Sequence, residues 1–213
     1  MKNKYIIIIL IIIILTSCST EKAFLMDGAK NLKPGTTALL CYSDEDELNI
    51  EYTRQLTKAL SAKGIKVLSY NQIKQKLPAY PENFFLDKPY FKKNDASDEY
   101  YIPQNNLDII GDAQKQLKTD YILFIIYSIH YSGALRLIVP TQSAEVHSYS
   151  FLIKYPENKI VGYLYDTYDK SSITLKGIST SNSTVVECSK KIIPEAAEIF
   201  AVKYHNEIKK YTK

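Results

Sequence analysis

The apolar residues of this 213-residue chain form short runs and spaced stripes that predict alternating strands and helices. The run at 36–42 (TTALLCY) follows a Pro-Gly pair and predicts a buried strand. Apolar residues at helical spacing then predict a helix over 48–63, which Gly64 ends. The run at 65–70 (IKVLSY) predicts a second strand, parallel to the first, because so short a connection implies a right-handed crossover.

The second half of the chain predicts a central strand, a hairpin and a long final helix. The elements expected after the first crossover are a short helix at 71–77, an irregular segment at 79–103, a helix at 104–117, the most apolar strand at 121–129, a loop at 131–143, hairpin arms at 144–155 and 159–169, and a helix at 184–210. The fold class that follows is α/β, with a mixed sheet of about four to five strands, a parallel βαβ start, a C-terminal antiparallel hairpin and flanking helices. The predicted core consists of Leu39, Leu40, Val67, Leu68, Ile122, Phe124 and Ile126, packed by Leu56, Leu60 and Phe200.

The first eighteen residues form an export signal. Lys2 and Lys4 precede an unbroken apolar run at 5–15, and Leu15-Thr16-Ser17-Cys18 follows. This order resembles the lipobox of bacterial lipoprotein signal peptides. The resemblance implies removal of 1–17, a diacylglyceryl thioether and palmitate on Cys18, and a lipidated tether at 18–35.

Two other interpretations of this stretch are weaker. A transmembrane anchor needs about 20 apolar residues, and this run is about half as long. An ordinary secretory signal does not require a cysteine, so it would not account for the four-residue match at 15–18. In enteric lipoproteins an Asp after the cysteine retains the protein in the inner membrane. By that resemblance, Ser19 favours the periplasmic face of the outer membrane.

Composition and charge exclude few functions but argue against nucleic-acid binding. The chain is 46% hydrophobic and 23% charged, which is typical of a globular domain, so 36–213 is expected to form a single α/β domain. The formal charge of +4 falls to +2 once Lys2 and Lys4 leave with the signal. Cys41 and Cys188 could form a disulfide in an oxidising compartment, or Cys41 could be a small buried thiol.

No catalytic or metal-binding pattern stands out. His130, His147 and His205 are far apart in the sequence, and there is no zinc, nucleophile-elbow or phosphate-loop motif. We therefore expect a protein that is not an enzyme, with no cofactor and no metal. The alternative is a lipoprotein enzyme acting on peptidoglycan or another envelope glycan through carboxylates such as Asp108 or Glu145.

The order of elements resembles a group of periplasmic α/β domains. It is similar to the amino-terminal domain of TolB, the penicillin-binding-protein activator LpoB and the curli secretion lipoprotein CsgG. The resemblance rests on 37–42, on 56–64 leading into 65–68, on 113–117 leading into 120–122, and on the hairpin turn at 156–159. It implies a non-enzymatic interaction module that binds another protein of the cell envelope. A subunit of an oligomeric envelope assembly is a further alternative. The segment at 79–103 is an insertion relative to this pattern, and long membrane hairpins of the pore-forming relatives do not stand out.

The insertion at 79–103 is the predicted partner-binding surface. It carries prolines and seven aromatic residues, of which Phe84, Phe85, Tyr90 and Phe91 are the predicted anchors. Aromatic anchors within a charged rim are typical of binding surfaces. The alternative is that these rings fold back and cover the helices, as side chains of irregular loops often do.

Overall fold

In a computed structural model, the chain forms a five-stranded sheet between two layers of helices. The structure describes residues 22–25, 32–43, 46–81, 84, 102, 104–136, 139–173 and 182–211. At 22–25, 46–47, 130–136, 139–144, 169–173 and 182–191 it describes the backbone alone.

The sheet is mixed, with the strand order β1-β5-β4-β3-β2. Its strands are β1 Lys22–Leu25, β2 Thr37–Tyr42, β3 Tyr121–Arg136, β4 Val139–Lys154 and β5 Lys159–Ile173. Strands β2 and β3 are parallel, and every other neighbouring pair is antiparallel. This arrangement confirms the predicted fold class.

Four helices flank the sheet among the described residues. They are α1 Asp46–Ala62, α2 Tyr70–Lys76, α3 Gln104–Leu117 and α4 Asn182–Lys209. Gly64 follows α1 with a φ of 80°, a conformation that suits glycine at the end of a helix. At the start of α2, Ser69 and Gln72 form a reciprocal capping box that satisfies two backbone donors. Pro194 lies within α4, where it cannot donate a backbone hydrogen bond to the preceding turn.

Two of the predicted elements are wrong. The expected strand at 65–70 makes only one parallel bridge, between Val67 and Thr37, because the chain turns at Ser69 to begin α2. The partner of β2 along its whole length is β3 instead. The loop expected at 131–143 is also replaced by strand, since β3 and β4 stay paired as far as Arg136 and Val139. Long-range pairing therefore decides both segments.

The segment expected to be a plain tether contains a strand. Residues 22–25 form β1 and pair with β5, so that Lys22 lies opposite Tyr165 and Leu25 opposite Gly162. Leu32, further along, is buried and packs with Tyr121. Part of the stretch between the predicted lipid site and β2 is therefore held against the sheet edge.

Both faces of the sheet are covered. Helices α1 and α4 pack on Leu39 and Leu123, whereas α2 and α3 pack on Leu40 and Phe124. The predicted core is confirmed, except that two of its members are only partly buried. Leu39, Leu40, Ile122, Phe124, Ile126, Leu56, Leu60 and Phe200 are buried, while Val67 and Leu68 lie at the edge of the core.

Small polar side chains of β4 are buried and do not face the solvent. Ser148 and Ser150 are buried on the side of the sheet that α1 covers. The Ser148 hydroxyl lies 3.1 Å from the Tyr52 hydroxyl on α1, and Ser150 donates to the Leu164 carbonyl at 3.0 Å. Each buried hydroxyl is thus satisfied, which lets serines occupy an interior layer.

Candidate binding site

The parallel pair of β2 and β3 has two ends, and each end is a candidate site. We call the carboxyl end of β2, where α1 begins, the tyrosine end. We call the opening at the amino ends of β2 and β3 the lysine cavity. In open α/β sheets, ligands usually bind at the carboxyl ends of the parallel strands, so the tyrosine end is the first candidate.

The tyrosine end is closed by the side chain of Tyr80. Its hydroxyl accepts the Cys41 N–H at 2.8 Å and lies 3.2 Å from both the Cys41 carbonyl oxygen and Thr53 Oγ1. Tyr80 is only 1% exposed, so these contacts satisfy polar groups of β2 that would otherwise be buried without partners. One side chain thus covers this part of the free edge of β2.

Burial keeps three tyrosines and one cysteine described at the tyrosine end neutral. The rings of Tyr52 and Tyr127 lie 4.4 Å apart, and burial raises the pKa of both phenols and of Tyr80. Burial also raises the pKa of the Cys41 thiol from 9.0 to about 12, although the Thr53 hydroxyl acts in the opposite direction. A thiol that stays protonated at neutral pH is a poor nucleophile, so Cys41 lacks the features of a reactive cysteine.

Cys41 is a free, buried thiol, which agrees with the second of the two roles considered for it. The side chain of Cys188 lies outside the described residues.

The lysine cavity has a volume of about 550 Å³ and is built mainly from four parts of the chain, to which β4 adds Leu152. These are 32–37, the segment 63–66 after α1, the start of β3 at 120–121 and the last turns of α4. Its volume falls within the range of roughly 300–1,000 Å³ that is usual for ligand pockets. Its apolar lining includes Leu32, Ile65, Tyr121, Leu152, Tyr204 and Ile208.

Hydrogen bonds fix the wall of the lysine cavity. The Asp120 carboxylate accepts the Thr36 N–H at 2.7 Å, and the Tyr121 hydroxyl donates to the Lys33 carbonyl at 2.9 Å. Gly35 is needed between them, because a Cβ there would lie 2.7 Å from the Asp120 Cβ. The wall therefore depends on a close approach of backbone to side chain at Gly35.

The rim of the cavity carries an excess of positive charge. Lys33, Lys66 and Lys209 are exposed, and none of them forms an ion pair with another described residue. Lys63 is compensated by Glu198 at 3.0 Å. Asp120 is the one carboxylate among the described lining residues. An anion is therefore the complementary ligand.

The predicted partner-binding residues are described only at one position. Phe84 is half-buried and packs edge-on against Tyr80, with ring centroids 5.6 Å apart. Phe85, Tyr90 and Phe91 lie outside the described residues, as does Cys18. The start of the insertion therefore contacts the core at the tyrosine end, and the docking role of the rest stays a prediction.

Of the other chemical candidates, Asp108, Glu145 and His147 lie outside the cavity lining, whereas His205 is part of it. Asp108 accepts a hydrogen bond from Gln104 at 3.0 Å, and Glu145 lies 3.0 Å from His147. His147 also contacts the Tyr165 hydroxyl at 3.0 Å, and the His130 side chain lies outside the described residues.

Within the described ranges, no group of three or more His, Cys, Asp or Glu side chains could hold a metal ion. Of the helices that the structure describes, none is long and apolar enough to cross a membrane.

Sequence reasoning missed the lysine cavity. Lys33, Lys66 and Lys209 share no spacing, because they come from three separate parts of the chain: the segment before β2, the segment after α1 and the last turn of α4. The nearest local signal is Pro34-Gly35, which the sequence marks only as the boundary of a strand.

The chain is similar to several solved protein structures. No protein-family model matches the chain, and no curated protein matches it. A minor lipoprotein of Acinetobacter baumannii is similar at 10% identity and a TM-score of 0.42, over 81% of this chain and 93% of that one. A lipoprotein of Neisseria meningitidis is similar at 11% identity and a TM-score of 0.43, over 77% of this chain and 99% of that one. A PelC dodecamer from Paraburkholderia phytofirmans is similar at 9% identity and a TM-score of 0.39, over 84% of this chain and 95% of that one. Bacterial lipoproteins are thus among the structures that this chain is similar to, and none of these likenesses assigns it a partner or an activity.

Proposed function

We propose that this protein is anchored by a lipid on Cys18 to the periplasmic face of the outer membrane and binds another envelope protein without catalysing a reaction. The observation that carries the proposal is Leu15-Thr16-Ser17-Cys18 at the end of a basic start and an apolar run. A cysteine with two or three acyl chains holds a protein stably at a membrane, because each buried methylene contributes about 0.8 kcal/mol.

Strand β1 supports a short connection between the anchor and the domain. Lys22 pairs with Tyr165, and four residues span at most about 14 Å between Cys18 and Lys22. Leu25, at the other end of β1, pairs with Gly162, which in turn pairs with Leu152 of the cavity lining. Because β1 runs towards the lysine cavity, Lys22, the end of β1 nearer to Cys18 in sequence, is the end farther from the cavity. We therefore expect the cavity to face away from the membrane.

The site geometry favours binding over the alternative of glycan hydrolysis. Hydrolysis of a glycosidic bond needs two carboxyl groups about 5–10 Å apart. The described lining of the lysine cavity offers Asp120 alone, and its carboxylate accepts the Thr36 N–H. Asp108 and Glu145, the candidates from the sequence, do not line it.

The partner-binding role is assigned to Phe84, Phe85, Tyr90 and Phe91 of the insertion. Phe84 contacts the buried Tyr80, so the described start of the insertion is packed against the domain. Aromatic residues presented from a rigid base lose little conformational entropy on binding, and such residues dominate the energy of many interfaces.

Acyl labelling tests the anchor. Cells expressing the Cys18→Ala variant should show an unprocessed precursor and no incorporation of labelled palmitate. The Cys188→Ala variant is the matched control and should incorporate label as the wild type does. Palmitate incorporation by the Cys18→Ala variant would contradict the lipoprotein assignment.

Crosslinking in intact cells tests the binding role. The anchored protein should give a discrete adduct with an envelope protein, identified by mass spectrometry. Release of soluble fragments from purified peptidoglycan, lost in Asp108→Asn or Glu145→Gln, would instead establish the enzymatic alternative.

A further inference from the structure

We propose that the lysine cavity binds a single-chain anionic amphiphile, with its apolar tail on the cavity floor and its charged head between Lys33 and Lys66. This ligand site goes beyond the proposed interaction with an envelope protein. It rests on the shape and charge of the cavity and on neither the lipid on Cys18 nor the aromatic insertion.

The floor of the cavity is apolar and firmly packed. Leu32, Tyr121, Leu152 and Tyr204 are each less than 9% exposed, yet all four line the cavity. Removing an apolar chain from water over such a surface contributes roughly 25 cal/mol per Å² of buried area. A purely ionic ligand would leave this floor unused, so the ligand should carry an apolar tail.

The backbone of each of the two head-binding lysines is fixed. The Lys33 carbonyl accepts the Tyr121 hydroxyl at 2.9 Å, and the Lys66 carbonyl accepts the Thr37 N–H at 2.9 Å. Both side chains therefore start from defined positions on the rim. Neither forms an ion pair with another described residue.

Helix dipoles do not explain these two charges. Lys209 lies in the last turn of α4, where a cation stabilises the negative end of a helix. Lys33 and Lys66 belong to no helix, so the same account does not apply to them. Asp120 is the one carboxylate among the described lining residues, so its single negative charge cannot balance both Lys33 and Lys66. The unmatched charge is best satisfied by an anionic head group.

The protein's own lipid is a poor candidate for this occupant. Because β1 runs towards the cavity, Lys22 at its amino end is the residue of the strand farther from the cavity. A free amphiphile from the surroundings is therefore the inferred ligand.

Photolabelling of the full-length protein in nanodiscs of neutral phosphatidylcholine tests the site. The probe is a long-chain fatty acid that carries a diazirine in its tail, and the matched control probe is the corresponding fatty alcohol. The acid should label peptides containing Leu152 or residues 204–209, with saturation near one probe per chain. Unlabelled dodecanoate should compete, whereas dodecanol should not.

Charge variants give the decisive comparison. Lys33→Gln combined with Lys66→Gln should weaken labelling by the acid about 4-fold to 25-fold, because each exposed ion pair contributes a factor of roughly two to five. Lys33→Arg combined with Lys66→Arg should retain labelling, and so should Lys58→Gln, an exposed lysine of α1 outside the cavity. Equal melting temperatures would show that all variants are folded. The proposal is overturned if the alcohol labels the same peptides equally, if the double Gln variant labels like the wild type, or if these peptides remain unlabelled.

Discussion

The two ends of the β2–β3 pair differ in how their polar groups are satisfied. At the tyrosine end, Tyr80 covers the backbone of Cys41, and its neighbours are neutral and buried. At the lysine cavity, the floor is apolar and the rim carries Lys33 and Lys66 without partners among the described residues. One end therefore resembles a protein interior, while the other has the features of a binding surface.

This difference shows that topology alone does not locate a site. The carboxyl ends of parallel strands are where α/β proteins usually bind ligands, and that rule selects the tyrosine end. Here large side chains fill that position, and the opening lies at the other end of the same strands. The side chains, more than the order of the strands, decide which end is available.

The largest expected effect lies in the strand that both ends share. Phe124 is fully buried in β3, and Phe124→Ala should lower the free energy of unfolding by about 3–5 kcal/mol through the cavity it creates. Urea unfolding measures this, with Val202→Ala, at a position that is 38% exposed, as the control. An unfolding midpoint unmoved by Phe124→Ala would show that β3 is not central.

A smaller loss is expected when the tyrosine end is opened. Tyr80→Phe should cost about 1–3 kcal/mol, because it leaves the buried Cys41 N–H without its acceptor. Tyr155→Phe, at a residue that is 42% exposed, should change stability little and serves as the matched control. Equal unfolding energies for the two variants would mean that the hydroxyl network contributes nothing.

Alkaline pH should act through the same network. The folded-state pKa of Tyr80 is raised above its ordinary value of 10.0, so its contribution is complete below pH 10 and is lost as the pH rises further. The reason is that the phenol ionises first in the unfolded chain. Above pH 10, Tyr80→Phe should therefore lose stability less steeply than the wild type, by about 1.4 kcal/mol per pH unit. Parallel slopes in unfolding titrations between pH 9 and 11 would contradict this.

The smallest effect is expected at the lysine cavity. Lys33→Gln and Lys66→Gln should each change the free energy of unfolding by less than about 0.5 kcal/mol, since both side chains are exposed and lack partners among the described residues. Urea unfolding of the single variants checks this. A loss above about 1 kcal/mol would make these lysines structural and would remove the contrast between the two ends.

Local signals predicted much of the fold. The helix at 104–117 has the predicted bounds, and β2 begins one residue after the predicted start, because apolar spacing and Pro-Gly boundaries are properties of the local sequence. The end of α1 near Gly64 follows from the same kind of signal.

What the sequence did not predict depends on distant partners. Strand β1 has four residues of mixed polarity and is defined by its pairing with β5. The Tyr80 hydroxyl meets Cys41 across 39 positions of the chain. The lysine cavity likewise combines residues from separate ends of helices and strands, so no window of the sequence contains it.

The central claim is that the aromatic insertion docks an envelope partner. Phe84 packs on Tyr80, so Phe84→Ser alone should lower the melting temperature. The decisive measurement is crosslinking in cells with the combined variant Phe85→Ser, Tyr90→Ser and Phe91→Ser, accompanied by its melting temperature. We predict an unchanged melting temperature and loss of the captured partner. A variant that melts like the wild type and still captures its partner would contradict the claim, and a marked fall in melting would show instead that these rings cover the core.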